Sequence, residues 1–223
     1  MDVEEALYTT RAMRRVRPDP IPLEVQARIL DAAIRAPSGG NSQTWRFLLV
    51  DDRDVIGRIG PLYRDGLATL WRTIYAERLA AAKAAPDTEE SRSMLRVQRS
   101  AQWLADHFEE VPLFLFGFAQ ADPTGSSIFP AVWSAQLAAR AQGVGSALTA
   151  LLSFLHPQEV CEILGVPGEE QWVMACCVSF GYPHGRWDVA ARRPVHEVSY
   201  RNRWGEPVGF RVEQPLWPAK DRA

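Results

Sequence analysis

The sequence predicts an α+β fold or a three-layer sandwich, and three observations carry that expectation. Stretches of helical periodicity and short apolar stretches of strand type follow one another in the order helix, helix, strand, helices, strand, helix, strand, helix, strand. The stretch Val111 to Ala119 is apolar on both faces, which suits a strand at the centre of a sheet covered on two sides. With 223 residues, 47% hydrophobic and 23% charged, the chain can bury a substantial core, and disordered or fibrous classes are excluded. No repeat, low-complexity tract or linker marks a second domain. One domain over 1–223 is expected, with a helical excursion at about 62–108 and a C-terminal extension at about 184–223.

Each element has a local reason. Asp2 with Glu5 makes a capping box for an N-terminal helix in which Val3, Ala6, Leu7 and Thr10 share a face. The chain then runs through Arg11-Ala12-Met13-Arg14-Arg15-Val16-Arg17, and Pro18, Pro20 and Pro22 forbid further helix, so this basic cluster sits at a helix end or on an extended loop. Pro22 suits the first turn of a second helix carrying Val25, Ile29, Ala32 and Ala36 inward, which Pro37 stops. Pro37 to Gln43 is a loop by composition, and Trp45 to Val50 reads as a buried strand.

From about Leu62 to Phe108 the pattern is helical with a break at Pro86, and Asp87 with Glu90 would box the second half. In that half Met94, Val97, Ala101, Leu104 and Phe108 form a narrow seam. The seam either packs the helix on its own domain or builds an arm that embraces a second subunit. Val111 to Ala119 is the central strand, and Phe129 to Gln142 is a core helix ending at Gly143. Val144 to Phe154 is strand or mixed structure. Pro157 to Leu164 is a short helix closed by Gly165, and Trp172 to Tyr182 is a last buried strand ended by Gly181 and Pro183.

Several function classes fall away on composition and spacing. Twenty-five basic against 27 acidic residues leave a net charge of −2, without the basic excess of a general nucleic-acid binder. Met1-Asp2-Val3-Glu4-Glu5 is acidic where a secretory signal needs a basic region, and the longest apolar stretch is too short to span a bilayer, so a cytoplasmic location without membrane attachment is expected. Cys161, Cys176 and Cys177 fit no disulfide framework and are expected to be reduced and buried. His107, His156, His184 and His196 show no metal-ligand spacing, and no metal is expected. There is no nucleophile elbow and no phosphate loop; Gly143-Val144-Gly145-Ser146 reads as a helix cap and turn.

Two features remain. Arg11, Arg14, Arg15 and Arg17 cluster near one end of a slightly acidic chain, and Arg192, Arg193, Arg201 and Arg203 cluster near the other. They form either solvated faces or a shared anion site, since the arginine fork donates bidentately to phosphate. The loop Pro37-Ser38-Gly39-Gly40-Asn41-Ser42-Gln43 is either an ordinary polar turn or a ligand loop. Its glycines let the backbone approach closely, and Asn41 and Gln43 offer donors and acceptors to the edge of a flat heterocycle.

Three segments resemble the nitroreductase family of FMN-dependent oxidoreductases: Arg11-Ala12-Met13-Arg14 with Pro20-Ile21-Pro22; Ala36-Pro37-Ser38-Gly39-Gly40-Asn41-Ser42-Gln43-Thr44-Trp45-Arg46-Phe47; and Arg192-Arg193-Pro194 leading to Arg203-Trp204-Gly205. The middle segment is the most specific. The resemblance implies a three-layer α+β sandwich with a mixed or antiparallel central sheet, and a homodimer with FMN at the subunit interface. It implies that Arg11 and Arg14 hold the FMN phosphate and ribityl end, joined by Arg192 and Arg193. It places Pro37, Ser38, Gly39, Asn41 and Gln43 along the isoalloxazine, commonly from the partner subunit, and Leu148, Thr149, Ala150 and Leu151 near its reactive N5. Ala12 stands where a serine is common, so one side-chain bond to the cofactor is either replaced by a backbone amide or lost; Thr44 replaces a frequent proline and Val16 a frequent aromatic. Ala150-Leu151 replaces the Glu-Gly pair of the classical bacterial members.

The implied activity is transfer of a hydride from NADH or NADPH through flavin N5 to a nitroaromatic, quinone or similar small acceptor. The flavin carries that chemistry, so no catalytic side chain is expected. Two alternatives share the same residues: a flavin-binding sensor or storage protein without turnover, and a relative that fragments reduced FMN with oxygen to make 5,6-dimethylbenzimidazole.

Overall fold

The structure, a computed structural model, describes residues 1–217, so 218–223 of the expected C-terminal extension lie outside the described residues. The chain divides into two compact units, one made of Met1–Arg11 with the residues from Arg186 onward, the other of Ala12–Gly185.

In the first unit, α1 (Val3–Thr9) starts where Asp2 accepts the Glu5 amide at 2.7 Å. Its buried side is Ala6, Thr9 and Thr10, while Val3 and Leu7 are exposed, so the helix is turned away from the expected face. Thr9 tolerates burial because its hydroxyl donates to the Glu5 carbonyl at 2.6 Å. From Arg186 the chain is mostly irregular, with a 3₁₀ turn at Val195–Glu197 and a bridge between Tyr200 and Pro207. Tyr8 and Trp217 tie its two segments with ring centroids 6.0 Å apart.

The second unit is a three-layer sandwich. Its sheet has four strands, β1 (Trp45–Val50), β2 (Leu113–Ala119), β3 (Gly145–Thr149) and β4 (Val173–Gly181), in the order β1-β2-β4-β3 and antiparallel throughout. Every residue of β2 is buried, as a strand covered on both faces requires. Alternation sends Phe114, Phe116 and Phe118 into one core and Leu113, Leu115 and Ala119 into the other. The first core is closed by α3 (Arg53–Arg72), α5 (Glu89–Asp106), α7 (Leu151–Leu155) and α8 (Pro157–Leu164). The second is closed by α2 (Leu23–Ala33) and α6 (Ile128–Ala141). A bulge opposite Gly117 and Phe118 adds one residue to β4, so Met174 and Cys177 share the first core although they are three positions apart.

The helical excursion is longer and more divided than its sequence pattern. It begins at Arg53 and contains α3, α4 (Ala76–Ala84) and α5. Asp52 caps α3 by accepting the amides of Asp54 and Val55. Thr88, rather than Asp87, caps α5, accepting the Ser91 amide at 3.2 Å. Helix α2 stops at Ala33, so Ala36 lies beyond it and its buried face is Gln26, Ile29 and Ala33. Val144 to Phe154 resolves into β3 followed by α7, and α8 ends as expected at Gly165, whose φ is 67°. Most of the α5 seam is internal: Met94 packs with Leu79 and Ala82 of α4, and Ala101 and Leu104 enter the first core. Val97 alone is exposed. All three cysteines are free thiols, and burial pushes Cys176 up to about 12. Among the described residues no helix is long and apolar enough to cross a membrane.

An extended strap, Ala12 to Arg17, is bound along the β3–β4 edge. The Met13 amide donates to the Ser146 carbonyl and the Arg17 amide to the Tyr182 carbonyl, both at 2.8 Å. The close approach depends on Gly181, where an added Cβ would lie 2.6 Å from the Val16 Cβ. Gly181→Ala is therefore expected to cost about 1–3 kcal/mol by overpacking and to loosen the strap. Chemical denaturation checks the loss, and an unchanged midpoint would show that the strap yields freely.

Candidate functional site

The strap fixes Arg14 between two backbone anchors, so its guanidinium projects from a defined place rather than from a loose terminus. Arg14 is half-buried. Its one described hydrogen bond is a long one, 3.5 Å, to the Ser100 hydroxyl of α5, and no carboxylate pairs with it among the described residues. A guanidinium partly withdrawn from water without a counter-charge is a standing site for an anion.

Arg14 lines a cavity of about 150 Å³ with Leu148, Thr149 and Leu151. Tyr63, Leu67, Leu70, Trp71 and Tyr75 form a second wall, and Val97, Ala101 and Leu104 of α5 complete it. The cavity thus has a polar end at Arg14, Tyr63 and Thr149 and an otherwise apolar lining. Tyr63 is pushed up to about 12, chiefly by burial and then by the Cys177 thiol, against the pull of Arg14 and a hydrogen bond with Thr149. Its phenol stays neutral at ordinary pH and keeps its proton for donation. Thr149 also receives the Leu151 amide on its hydroxyl oxygen at 3.2 Å, which holds the turn from β3 into α7. The indole nitrogen of Trp71 is buried without a hydrogen-bond partner among the described residues.

The glycine-rich loop is the second part. Gly39–Asn41 forms a 3₁₀ turn with φ of 57° at Gly40 and 52° at Asn41, and Gln43 follows at 51°. Left-handed backbone at Gln43 is strained, by about 1–2 kcal/mol for an L residue. It is held by the Ser38 hydroxyl accepting the Gln43 amide at 2.9 Å and by the Gln43 side-chain amide donating to Asn41 Oδ1 at 3.1 Å. The loop is largely exposed, and a Cβ built on Gly39 or Gly40 would meet nothing within 4 Å. Its backbone is therefore open to a flat ligand or a second chain.

Of the residues singled out from sequence, the structure brings Arg14, Leu148, Thr149 and Leu151 to one cavity. Ala12 pairs with Ser146 at the foot of β3, and Ala150 is the cap of α7 without lining the cavity. Pro37, Ser38, Gly39, Asn41 and Gln43 stay together on their own loop and do not line the cavity either. Arg11, Arg192 and Arg193 belong to the other compact unit. There Arg11 donates to the Arg186 carbonyl at 3.2 Å, Arg192 to the Ala191 carbonyl at 2.9 Å, and Arg193 pairs with Glu197 at 3.4 Å. The sequence reading missed Tyr63, Leu67, Leu70, Trp71 and Tyr75; the three- and four-residue steps from Ile56 through Ile59, Tyr63, Leu67 and Leu70 were the available signal.

A model of the nitroreductase family matches residues 7–182. A 5,6-dimethylbenzimidazole synthase of Rhodospirillum rubrum is 33% identical over 219 residues, covering 92% of this chain and 92% of that protein. An iodotyrosine deiodinase of Thermotoga neapolitana is 28% identical, covering 86% of this chain and 92% of that protein. Among solved structures, a nitroreductase with bound FMN from Desulfitobacterium hafniense aligns with a TM-score of 0.63 at 18% identity, over 90% of this chain and 100% of that one. That likeness is one of fold. Together the family match along the sequence and the full-length relative establish that the chain belongs to the nitroreductase family.

Proposed function

We propose that this chain is an FMN-dependent oxidoreductase, acting as a homodimer, that passes electrons from NADH or NADPH to a nitroaromatic, quinone or similar small acceptor. The observation that supports it most is the half-buried Arg14 guanidinium, without a carboxylate, at the polar end of an apolar cavity. The donor set suits FMN in kind: the Arg14 fork for a phosphate, apolar walls for a ring, and, on a separate loop, an accessible glycine backbone with amide side chains for a heterocycle edge. The cavity of about 150 Å³ is small for the whole cofactor. That fits a site completed by a partner subunit, whose own exposed Pro37 to Gln43 loop would supply the other wall.

When bound, FMN supplies a ring that accepts and releases two electrons. The protein's part is positioning and charge. Arg14 would hold the phosphate and ribityl end from the cavity; Arg11, Arg192 and Arg193, in the other compact unit, are assigned to the same end on the family resemblance alone. The backbone amide of Ala12 would stand in for the common serine, or that bond would be lost. On the family resemblance, the β3–α7 turn with Leu148, Thr149, Ala150 and Leu151 would lie near N5, with Tyr63 hydrogen-bonded to Thr149. Pro37, Ser38, Gly39, Asn41 and Gln43 would read the ring edge of the partner subunit's flavin. The α4–α5 hairpin, with its own small core of Leu79, Ala82 and Met94, is suited to reach the partner.

One further reading has specific support. The Rhodospirillum relative of 33% identity and nearly equal length makes fragmentation of reduced FMN with oxygen, to give 5,6-dimethylbenzimidazole, the leading alternative. Anaerobic mixing of the FMN-loaded protein with NADH or NADPH separates the readings. Rapid bleaching of the yellow colour supports the reductase. Persistent colour, with dimethylbenzimidazole released when reduced FMN and oxygen are supplied, supports fragmentation. Persistent colour without product leaves a flavin-binding protein that does not turn over.

A further inference from the structure

Ser127 occupies the N-cap position of α6, where a serine hydroxyl ordinarily accepts an amide from the first turn of its own helix. Here it makes no such bond. That task has passed to Asp122, whose Oδ2 accepts the amides of Ser127 at 3.1 Å and Ile128 at 2.9 Å, while Oδ1 accepts the Ser126 hydroxyl at 3.2 Å. Burial pushes the Asp122 carboxyl up, but the donors from Ile128, Ser127 and Ser126 outweigh it and hold it below the usual aspartate range, so this cap stays ionised at neutral pH. The displaced Ser127 oxygen instead accepts the Gly39 amide at 3.3 Å, across 88 residues of sequence.

Among the described residues this is the one hydrogen bond that leaves Pro37 to Gln43; the rest of the loop's bonds are internal. Ser127 is itself buried, at 8% exposure, and the helix behind it is anchored by Ile128, Ala131 and Val132 in the second core. The loop is thus an internally rigid but exposed piece tied to a fixed helix through one hydroxyl.

We propose that Ser127, freed from capping by Asp122, is a positioning residue that sets the Pro37 to Gln43 loop in its flavin-binding arrangement. The proposal rests on the flavin reading above. Without the tether the loop samples other orientations, and apparent affinity falls by the fraction of time it spends out of place.

The test uses the full-length protein with Ser127→Ala and Ser127→Thr. FMN affinity is read by quenching of flavin fluorescence, apo-protein stability by thermal melting, and the tether by amide hydrogen exchange at Gly39 without flavin. Ser127→Ala is expected to speed Gly39 exchange and weaken FMN binding by roughly two- to tenfold, the range of one hydrogen bond, with melting lowered by no more than about 2–4 °C, and Ser127→Thr to restore both. Unchanged exchange or unchanged affinity in Ser127→Ala overturns the proposal. So does a lowered melting point with unaltered affinity in the folded protein, which assigns Ser127 a purely structural part. A wild-type chain that takes up no FMN overturns the flavin reading and the loop's purpose with it, whereas the Gly39 exchange still decides separately whether the tether exists.

Discussion

Replacing Arg14 with alanine is expected to weaken FMN retention by about ten- to a hundredfold, because hydrogen bonds to a charged group contribute about 1.5–3 kcal/mol and each 1.4 kcal/mol is a factor of about ten. The folded chain is expected to tolerate the change. Arg14 makes one long hydrogen bond to Ser100 and no ion pair among the described residues, so little native structure depends on it. The strap that carries it is held by backbone bonds at Met13 and Arg17, which the substitution leaves in place. Arg14→Lys separates charge from geometry: it keeps the cation and loses the planar fork, and an intermediate affinity is expected. Fluorescence titration with FMN, alongside a melting curve, checks both halves. Normal flavin occupancy in Arg14→Ala would remove this residue from the site.

The largest effect on stability is expected from Phe116→Ala. Phe116 is fully buried at the middle of β2, between Leu48 of β1 and Cys177 of β4. It belongs to a run of rings in the first core, with Phe114 stacked on Phe108 at 4.3 Å and Phe116 6.4 Å from Phe114. Deleting such a ring leaves a cavity that a covered central strand cannot close by shifting, and costs about 3–5 kcal/mol. A domain of this kind has about 5–15 kcal/mol in total, so the variant should unfold at much lower denaturant and bind FMN poorly for lack of folded protein. A retained midpoint would mean that the helices on that face collapse onto the strand.

How much of this was readable beforehand differs from element to element, for physical reasons. β1 runs over Trp45–Val50 and α8 over Pro157–Leu164, as expected, because strong local signals bound them: the Gly-rich loop and Asp51-Asp52 around the first, Pro157 and Gly165 around the second. The start of α3 was hidden. Gly57, Gly60 and Pro61 argue against a helix one by one, and what holds it is burial of Ile56, Ile59 and Tyr63 against the sheet, a tertiary term that local propensity does not contain. Val97 fits the seam by spacing yet is exposed, because it faces the cavity rather than a neighbouring helix.

The candidate site divides in the same way. The loop Pro37 to Gln43 and the position of Arg14 stand out as motifs. The aromatic wall of Tyr63, Trp71 and Tyr75 does not, since its residues, from α3 and the turn into α4, acquire a common purpose only when they gather around one cavity beside β3. Ser127 was equally invisible: a serine before a helix reads as its cap, and only the competing carboxylate of Asp122 shows that its hydroxyl is committed elsewhere.

The central claim is that this nitroreductase-family chain holds FMN. The visible spectrum of the purified full-length protein, before and after incubation with FMN and removal of the excess, tests it most directly. The expected result is a yellow protein with flavin absorption that survives desalting at a ratio approaching one FMN per chain. A colourless protein from which added FMN washes away would contradict the account.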